Sequence, residues 1–345
     1  MTHPDIVVVG GSAGGIDAAK SLVAGLPSDL AATVFVVIHI SPQSPGYLAN
    51  IFDDAGPLQA RNAREGERFR KGMIYVAPPD RHLLVSASGR IETPRGPKEN
   101  RVRPAVDPLF RSAALEFGER VIGIVLSGGL DDGTAGLRSI KMCGGITVVQ
   151  EPADSTVESM PLSALRNVGV DYCLPAADMA ALVTQLVSTE RGSATSASTT
   201  MTKMLQYEVN VSRDMGQPEE MTEFGSPSLF TCPECHGTLM SIRGERPARY
   251  RCHTGHAFSL DALLAELTES TEQAIWNGIR AVQESAILLS HLADHWRGSD
   301  PQKARAFEQQ SELAKTRADM LRQAAATQEQ LSAAKIAAAV QPAAD

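Results

Sequence analysis

The segment Asp5-Ile-Val-Val-Val-Gly10-Gly-Ser-Ala-Gly-Gly15 constrains the fold more than any other stretch of this chain. Ile6 to Val9 are all apolar and read as a strand buried on both faces. The strand runs into four glycines flanking one hydroxyl, Ser12, and a helix pattern follows at Ile16, Ala19, Leu22, Val23 and Leu26. Strand, tight glycine turn and helix together lift one side chain to the carboxyl edge of a parallel sheet and aim backbone N–H groups at whatever binds there. A dinucleotide fingerprint fails, because its third position is Ser12 and His39 stands where an acid should end the second strand. A P-loop fails too, since Gly15 is followed by Ile16-Asp17 and not by Lys-Ser. Gly10-Gly-Ser-Ala-Gly14 satisfies the nucleophile elbow G-x-S-x-G, which leaves either that reading or a glycine turn with an incidental serine.

At 345 residues the chain has room for roughly two domains. A net charge of −8 argues against a nucleic-acid footprint. No apolar run approaches the ~20 residues of a membrane span. The N-terminus leads directly into a strand, so no signal peptide is expected. Cysteine occurs five times, with three copies in one short stretch, which suits a reducing cytoplasm and a metal site better than disulfides.

Residues 1–188 alternate strand and helix. Buried strands are expected at Thr33–Ile40, Met73–Ala77, Val121–Leu126 and Ile146–Val149, with a small antiparallel flap around Ser88-Gly89. Helices are expected within 104–117, with Asp107 as N-cap, and at 134–143, 161–168 and 176–187. The alternation predicts an α/β fold with a mostly parallel, doubly wound sheet. Residues 189–227 read as a linker, 228–259 as a small Cys/His module, and 260–340 as a long helical hairpin broken at Asp300-Pro301. On the second helix, Phe307, Leu313, Met320, Leu321, Ala324 and Leu331 are expected to face inward.

A serine hydroxyl becomes a nucleophile only when a base takes its proton and a third group fixes that base. His39 ends the second buried strand, at the same sheet edge as Ser12, and His82 lies on a loop at that edge as a substrate-contact residue or an ordinary loop histidine. Asp131 and Asp132 leave the end of a further strand between Gly128-Gly129 and Gly133, where they serve either as helix caps or as the acid. The order Ser…His…Asp, with the elbow at the start, excludes an ordinary α/β-hydrolase.

Gly10-Gly-Ser-Ala-Gly-Gly15, Ile38-His-Ile-Ser-Pro42, Tyr75-Val-Ala-Pro-Pro-Asp-Arg-His82, Arg103-Pro-Ala-Val-Asp107 and Leu126-Ser-Gly-Gly-Leu-Asp-Asp-Gly133, in that order, resemble the CheB-type protein-glutamate methylesterases of bacterial chemotaxis. The resemblance covers about residues 4–188 and extends to Gln150-Glu-Pro and Met160-Pro. It implies Ser12 as nucleophile, His39 as base, and Asp132 as the acid holding His39 Nδ1–H, since the family's acid immediately precedes the glycine. It further implies hydrolysis of glutamate methyl esters on chemoreceptors or related signalling proteins, and release of ammonia from glutamine, without a catalytic cofactor. The N–H of Ala13 is the expected oxyanion donor. Many members carry a methionine where this chain has Gly129, so substrate contacts there are expected to differ. Many also carry a phosphoacceptor receiver, which this chain is expected to lack, so its control is expected to come by other means.

Cys232-Pro-Glu-Cys235 and Cys252-His-Thr-Gly-His256 supply three thiolates and one imidazole, the tetrahedral set of a structural zinc ribbon, with His253 as the alternative fourth ligand. Cys143 and Cys173 sit in apolar contexts and are expected to be buried. The terminal helices could pair with each other, dimerise or meet a partner helix. A non-enzymatic signalling scaffold on the same fold is the competing reading, followed by a dinucleotide-binding oxidoreductase.

Overall fold

The structure, a computed structural model, describes residues 3–190 and 198–327. In chain order its first half consists of β1 (Ile6–Gly11), α1 (Gly15–Gly25), β2 (Thr33–Ile38), α2 (Leu48–Ala55), β3 (Gln59–Asn62), β4 (Met73–Val76), β5 (Leu84–Ser86) and β6 (Arg90–Glu92). There follow α3 (Val106–Phe117), β7 (Val121–Val125), α4 (Thr134–Met142), β8 (Ile146–Gln150), α5 (Ser159–Asn167), β9 (Tyr172–Leu174) and α6 (Met179–Ser188). Seven parallel strands lie in the order β3-β4-β2-β1-β7-β8-β9, and β5–β6 form the expected antiparallel flap.

Every residue of β1 and β2 is buried, because helices cover both faces of the sheet. Val7 and Val9 pack into one core with α1, α2 and α6, whereas Ile6 and Val8 pack into the other with α3, α4 and α5. Side chains alternate across a strand, so one apolar run feeds both cores. β1 is central, with β2 on one side and β7 on the other. Its carboxyl end is therefore the topological switch point at which doubly wound sheets open a crevice.

Part of the expected linker is ordered. Thr199–Ser212 form α7, whose Leu205, Tyr207, Glu208 and Val209 are buried, and Ser198 caps it by accepting from Met201 N–H. Residues 191–197 lie outside the described residues. The helix was obscured because one inward position is charged: Glu208 reads as a surface residue until the arginines that meet it are known. After α8 (Met221–Phe224), four antiparallel strands form the Cys/His module: β10 (Gly225–Thr231), β11 (Thr238–Ile242), β12 (Arg249–Cys252) and β13 (Ala257–Ser259). Contrary to expectation, Cys173 is exposed, because β9 is an edge strand with one side open to water, and Cys143, at the C-terminal end of α4, is only half-buried.

Residues up to Ala262 make one compact unit, and a second begins at Leu263. The second holds most of α9 (Leu260–Trp296) and all of α10 (Pro301–Ala326), the latter capped by Asp300 Oδ1 on Lys303 N–H. The shielded positions of α10 are Ala304, Phe307, Ser311, Ala314, Ala318, Leu321 and Ala325, a spacing of three and four that makes a coiled-coil seam. Ser311 Oγ donates to Ala286 O of α9 at 2.8 Å. Leu313, Met320 and Ala324, expected inward, are exposed, because small side chains hold the seam; Leu331 lies outside the described residues.

Candidate active site

β1 and β2 pair in parallel with Gly11 opposite Ile38. Ser12 and His39 are each the next residue, so the register sets them side by side, about one strand spacing (~5 Å) apart. Backbone bonds continue the ladder past the strand ends: His39 N–H donates to Gly11 O at 3.1 Å and Ser12 N–H to Ser127 O at 2.9 Å. The turn then needs glycine. Gly14 has φ 76°, and a Cβ there would come within 2.5 Å of Thr156. Gly128 faces Ser12 so closely that a Cβ would sit 2.1 Å from Met160 Sδ and 2.8 Å from Ser12 Cβ. Ser12 and the His39 ring are partly exposed. Among the described residues no hydrogen bond joins the Ser12 hydroxyl to His39, as in many resting sites that tighten around substrate.

Asp132 meets His39: the ring's Nε2–H donates to Asp132 Oδ2 at 2.7 Å. This corrects the expected nitrogen. Asp132 engages Nε2 and not Nδ1. The reason is topological: β7 lies beyond β1 from β2, so the ring bridges the gap with its distal nitrogen. Asp132 is anchored at the N-terminus of α3, where Oδ2 accepts from Val106 N–H at 2.6 Å and Oδ1 from Asp107 N–H at 3.3 Å. Asn100 Nδ2 donates to Oδ1 at 2.9 Å. Burial pushes the Asp132 carboxyl upward, but the bond and charge of His39, the Val106 N–H and the Asn100 amide bring it down to about 2. The Asp132 carboxylate is therefore ionised at neutral pH.

The neighbouring Asp131 turns away and accepts from Ser259 Oγ at 2.5 Å, and burial raises it to about 7. Asp107, the expected N-cap of α3, lies inside that helix and instead accepts from Gly136 N–H at 2.7 Å, satisfying the first turn of α4. His82, read as either a substrate-contact residue or an ordinary loop histidine, is fully buried. Its Nε2–H donates to Pro97 O at 2.9 Å and its Nδ1 accepts from Ala105 N–H at 3.3 Å, so it braces the loop before α3 and cannot touch a ligand. Ala13 is exposed beside Ser12, and among the described residues its N–H engages no backbone carbonyl. Gly129 is half-buried, and a Cβ there would meet no atom within 4 Å. Sequence reasoning missed Asn100 and Met160 as parts of the site. Asn100 carries one signal only, its position three residues before Arg103-Pro104.

In the Cys/His module, Cys232, Cys235, Cys252 and His256 place one donor atom each within 4.8 Å of one another. Cys235 Sγ–Cys252 Sγ is 3.5 Å, Cys252 Sγ–His256 Nδ1 3.6 Å and Cys232 Sγ–His256 Nδ1 3.8 Å. A tetrahedral ion with bonds of ~2.0–2.3 Å needs edges of about 3.5–3.8 Å, so the donor set fits a soft, four-coordinate metal. Hydrogen bonds from Cys232, His256 and Thr254 favour the Cys252 thiolate. His253 points out to solvent beside Gly237 and is not in the set.

Fold and site together define a class: α/β proteins that bring a serine, a histidine and an ionised aspartate to one sheet edge at the switch point. Residues 7–183 match the family model described as CheB methylesterase. The chain is 36% identical over 182 residues to a Leptospira interrogans protein, covering 53% of this chain and 94% of that one. It is 35% identical over 182 residues to the protein-glutamate methylesterase/protein-glutamine glutaminase of Symbiobacterium thermophilum, and spans 50% of that relative. The crystal structure of the Thermotoga maritima CheB methylesterase catalytic domain is similar at 32% identity and a TM-score of 0.52, covering 54% of this chain and 100% of that one. The chain belongs to the CheB methylesterase family.

Proposed function

We propose that this chain is a cytoplasmic serine hydrolase that removes methyl esters from glutamate side chains of chemoreceptors or related signalling proteins, and deamidates glutamines at the same centre. The observation that carries the reading is the convergence of Ser12, His39 and Asp132 from three strand ends, with Asp132 2.7 Å from His39 Nε2. His39 Nδ1 takes the proton of Ser12 as Oγ attacks the ester carbonyl. The Ala13 N–H holds the oxyanion, and Asp132 holds the imidazolium. Methanol leaves with a proton from His39, and water repeats the cycle to free Ser12. No cofactor takes part in these steps. The fit of Cys232, Cys235, Cys252 and His256 supports a structural Zn²⁺, which closes its own four-coordinate site and supplies folding energy to a module too small to fold alone. Among the described residues no helix is long and apolar enough to cross a membrane.

The test is release of methanol from a methylated receptor domain. The wild-type chain is expected to release it and Ser12→Ala to lose it while its circular dichroism is unchanged. Retained release by Ser12→Ala would reject the nucleophile.

A further inference from the structure

The Cys/His module is built into the catalytic acid through one residue. Asn100 has φ 49°, a left-handed conformation that asparagine tolerates. Its backbone N–H donates to Ala257 O at 2.8 Å, and its side-chain Oδ1 accepts from Ser259 N–H at 2.9 Å, both on β13. The other end of the amide, Nδ2, donates to Asp132 Oδ1 at 2.9 Å and to Asp107 Oδ2 at 3.2 Å. β13 begins one residue after His256. The rest of the module grips the same loop. Glu234, between Cys232 and Cys235, pairs with Lys98 at 2.8 Å. Gly255, between Cys252 and His256, lies where a Cβ would come within 2.6 Å of Pro97. Ser259 Oγ donates to Asp131 and accepts from Ala262 N–H at 3.0 Å, capping the start of α9.

An amide has two ends of opposite polarity, and only its surroundings decide which faces which neighbour. Here the Ser259 N–H claims the oxygen and so turns the NH₂ to Asp132. With β13 displaced, the amide can rotate and present its oxygen to a carboxylate. We propose that the metal-bound ribbon is a positioning part of the active site, and that Asn100 is the positioning residue through which it orients Asp132 against His39. The proposal rests on the methylesterase and metal readings above, but one of its tests depends on neither substrate nor turnover.

That test is proton NMR of the low-field His39 Nε2–H resonance in the full chain, loaded with Zn²⁺ and then stripped with a chelator. Stripping is expected to broaden the resonance or move it upfield, and restored Zn²⁺ to return it. In parallel, kcat for methanol release is expected to fall about tenfold with KM unchanged, the scale of one hydrogen bond to a charged group. Asn100→Gly keeps the left-handed backbone and removes the amide. It is expected to show the stripped behaviour while Zn²⁺ is bound, and stripping it is expected to change neither readout further. The proposal is overturned if stripping leaves the wild-type resonance unmoved, or if Asn100→Gly still responds to stripping as the wild type does. Where the stripped chain unfolds, the Zn²⁺-loaded Asn100→Gly and the isosteric Asn100→Asp decide. Both must displace the resonance with native circular dichroism, and an unmoved resonance in either overturns the proposal. A wild type that releases no methanol defeats the functional reading and leaves the NMR outcome standing on its own.

Discussion

Glu208→Gln probes the buried charge cluster that joins α7 and the Cys/His module to the catalytic sheet. Three guanidiniums, of Arg111, Arg249 and Arg251, surround two carboxylates, of Glu99 and Glu208, and all five residues are buried. Glu208 Oε2 meets Arg249 Nη1 at 2.8 Å and Arg111 Nη1 at 3.1 Å, while Oε1 meets Arg251 Nη2 at 3.0 Å and Nε at 3.1 Å. The glutamine amide keeps the volume but offers one acceptor where two served, and turns an NH₂ toward a guanidinium. The cluster then goes from three positive and two negative charges to three and one. Removing one partner of a buried ionic network costs about 3–5 kcal/mol. The assay is urea unfolding of the first unit by far-UV circular dichroism, with the tryptophans Trp276 and Trp296 of α9 reporting the hairpin separately. The arginine charges hold Glu208 and Glu99 below the ordinary carboxylate range against the burial that would raise them, with Glu99 at about 2. A depressed carboxylate contributes stability that is present above its unfolded value, ~4.5, and is lost as pH falls toward the folded one. The gap between wild type and variant should therefore be largest near pH 7 and narrow below pH ~4.5. A gap under about 1 kcal/mol at pH 7, or one that stays constant down to pH ~3, would refute the reasoning.

Gly128→Ala drives a methyl group into Met160 and Ser12 and is expected to lower kcat by about 100-fold or more, read by methanol release. Gly129→Met enters open space, so the fold and kcat should hold while KM changes, which steady-state kinetics on the receptor domain would reveal. Asp131 is raised to about 7 by burial, so the native chain binds more protons than the unfolded one between pH ~4 and ~7 and loses stability as pH rises through that window. Asp131→Asn should flatten this slope in thermal melts recorded across the same pH range.

The catalytic half was legible because its signals are local. The apolar runs of β1, β2, β7 and β8 announce a buried parallel sheet; Ser12 and His39 directly follow two of these runs, and Asp132 lies in the glycine-rich loop that follows a third. What stayed hidden depends on partners far away in the chain. Glu208 and Arg251 look like surface charges until Arg251 is seen to pair with both Glu208 and Glu99 in the interior. His82 looked available because Pro79-Asp80 signals a loop, yet its two nitrogens are consumed by Pro97 and Ala105. The choice of His39 nitrogen was beyond the sequence, since it follows from which side of β1 each neighbouring strand occupies. In the hairpin, residue size misled: the bulky Leu313 and Met320 lie outside a seam lined by Ala304, Ser311, Ala314 and Ala318.

The central claim is that three side chains act as one nucleophilic unit. Residues that act as a unit are grossly non-additive on mutation. The decisive measurement is therefore methanol release by Ser12→Ala, His39→Gln and the double variant, against wild type. The account predicts that each single variant falls to the same residual rate as the double. A double variant whose loss is the product of the two single losses, or a Ser12→Ala chain that turns over like wild type, would contradict it.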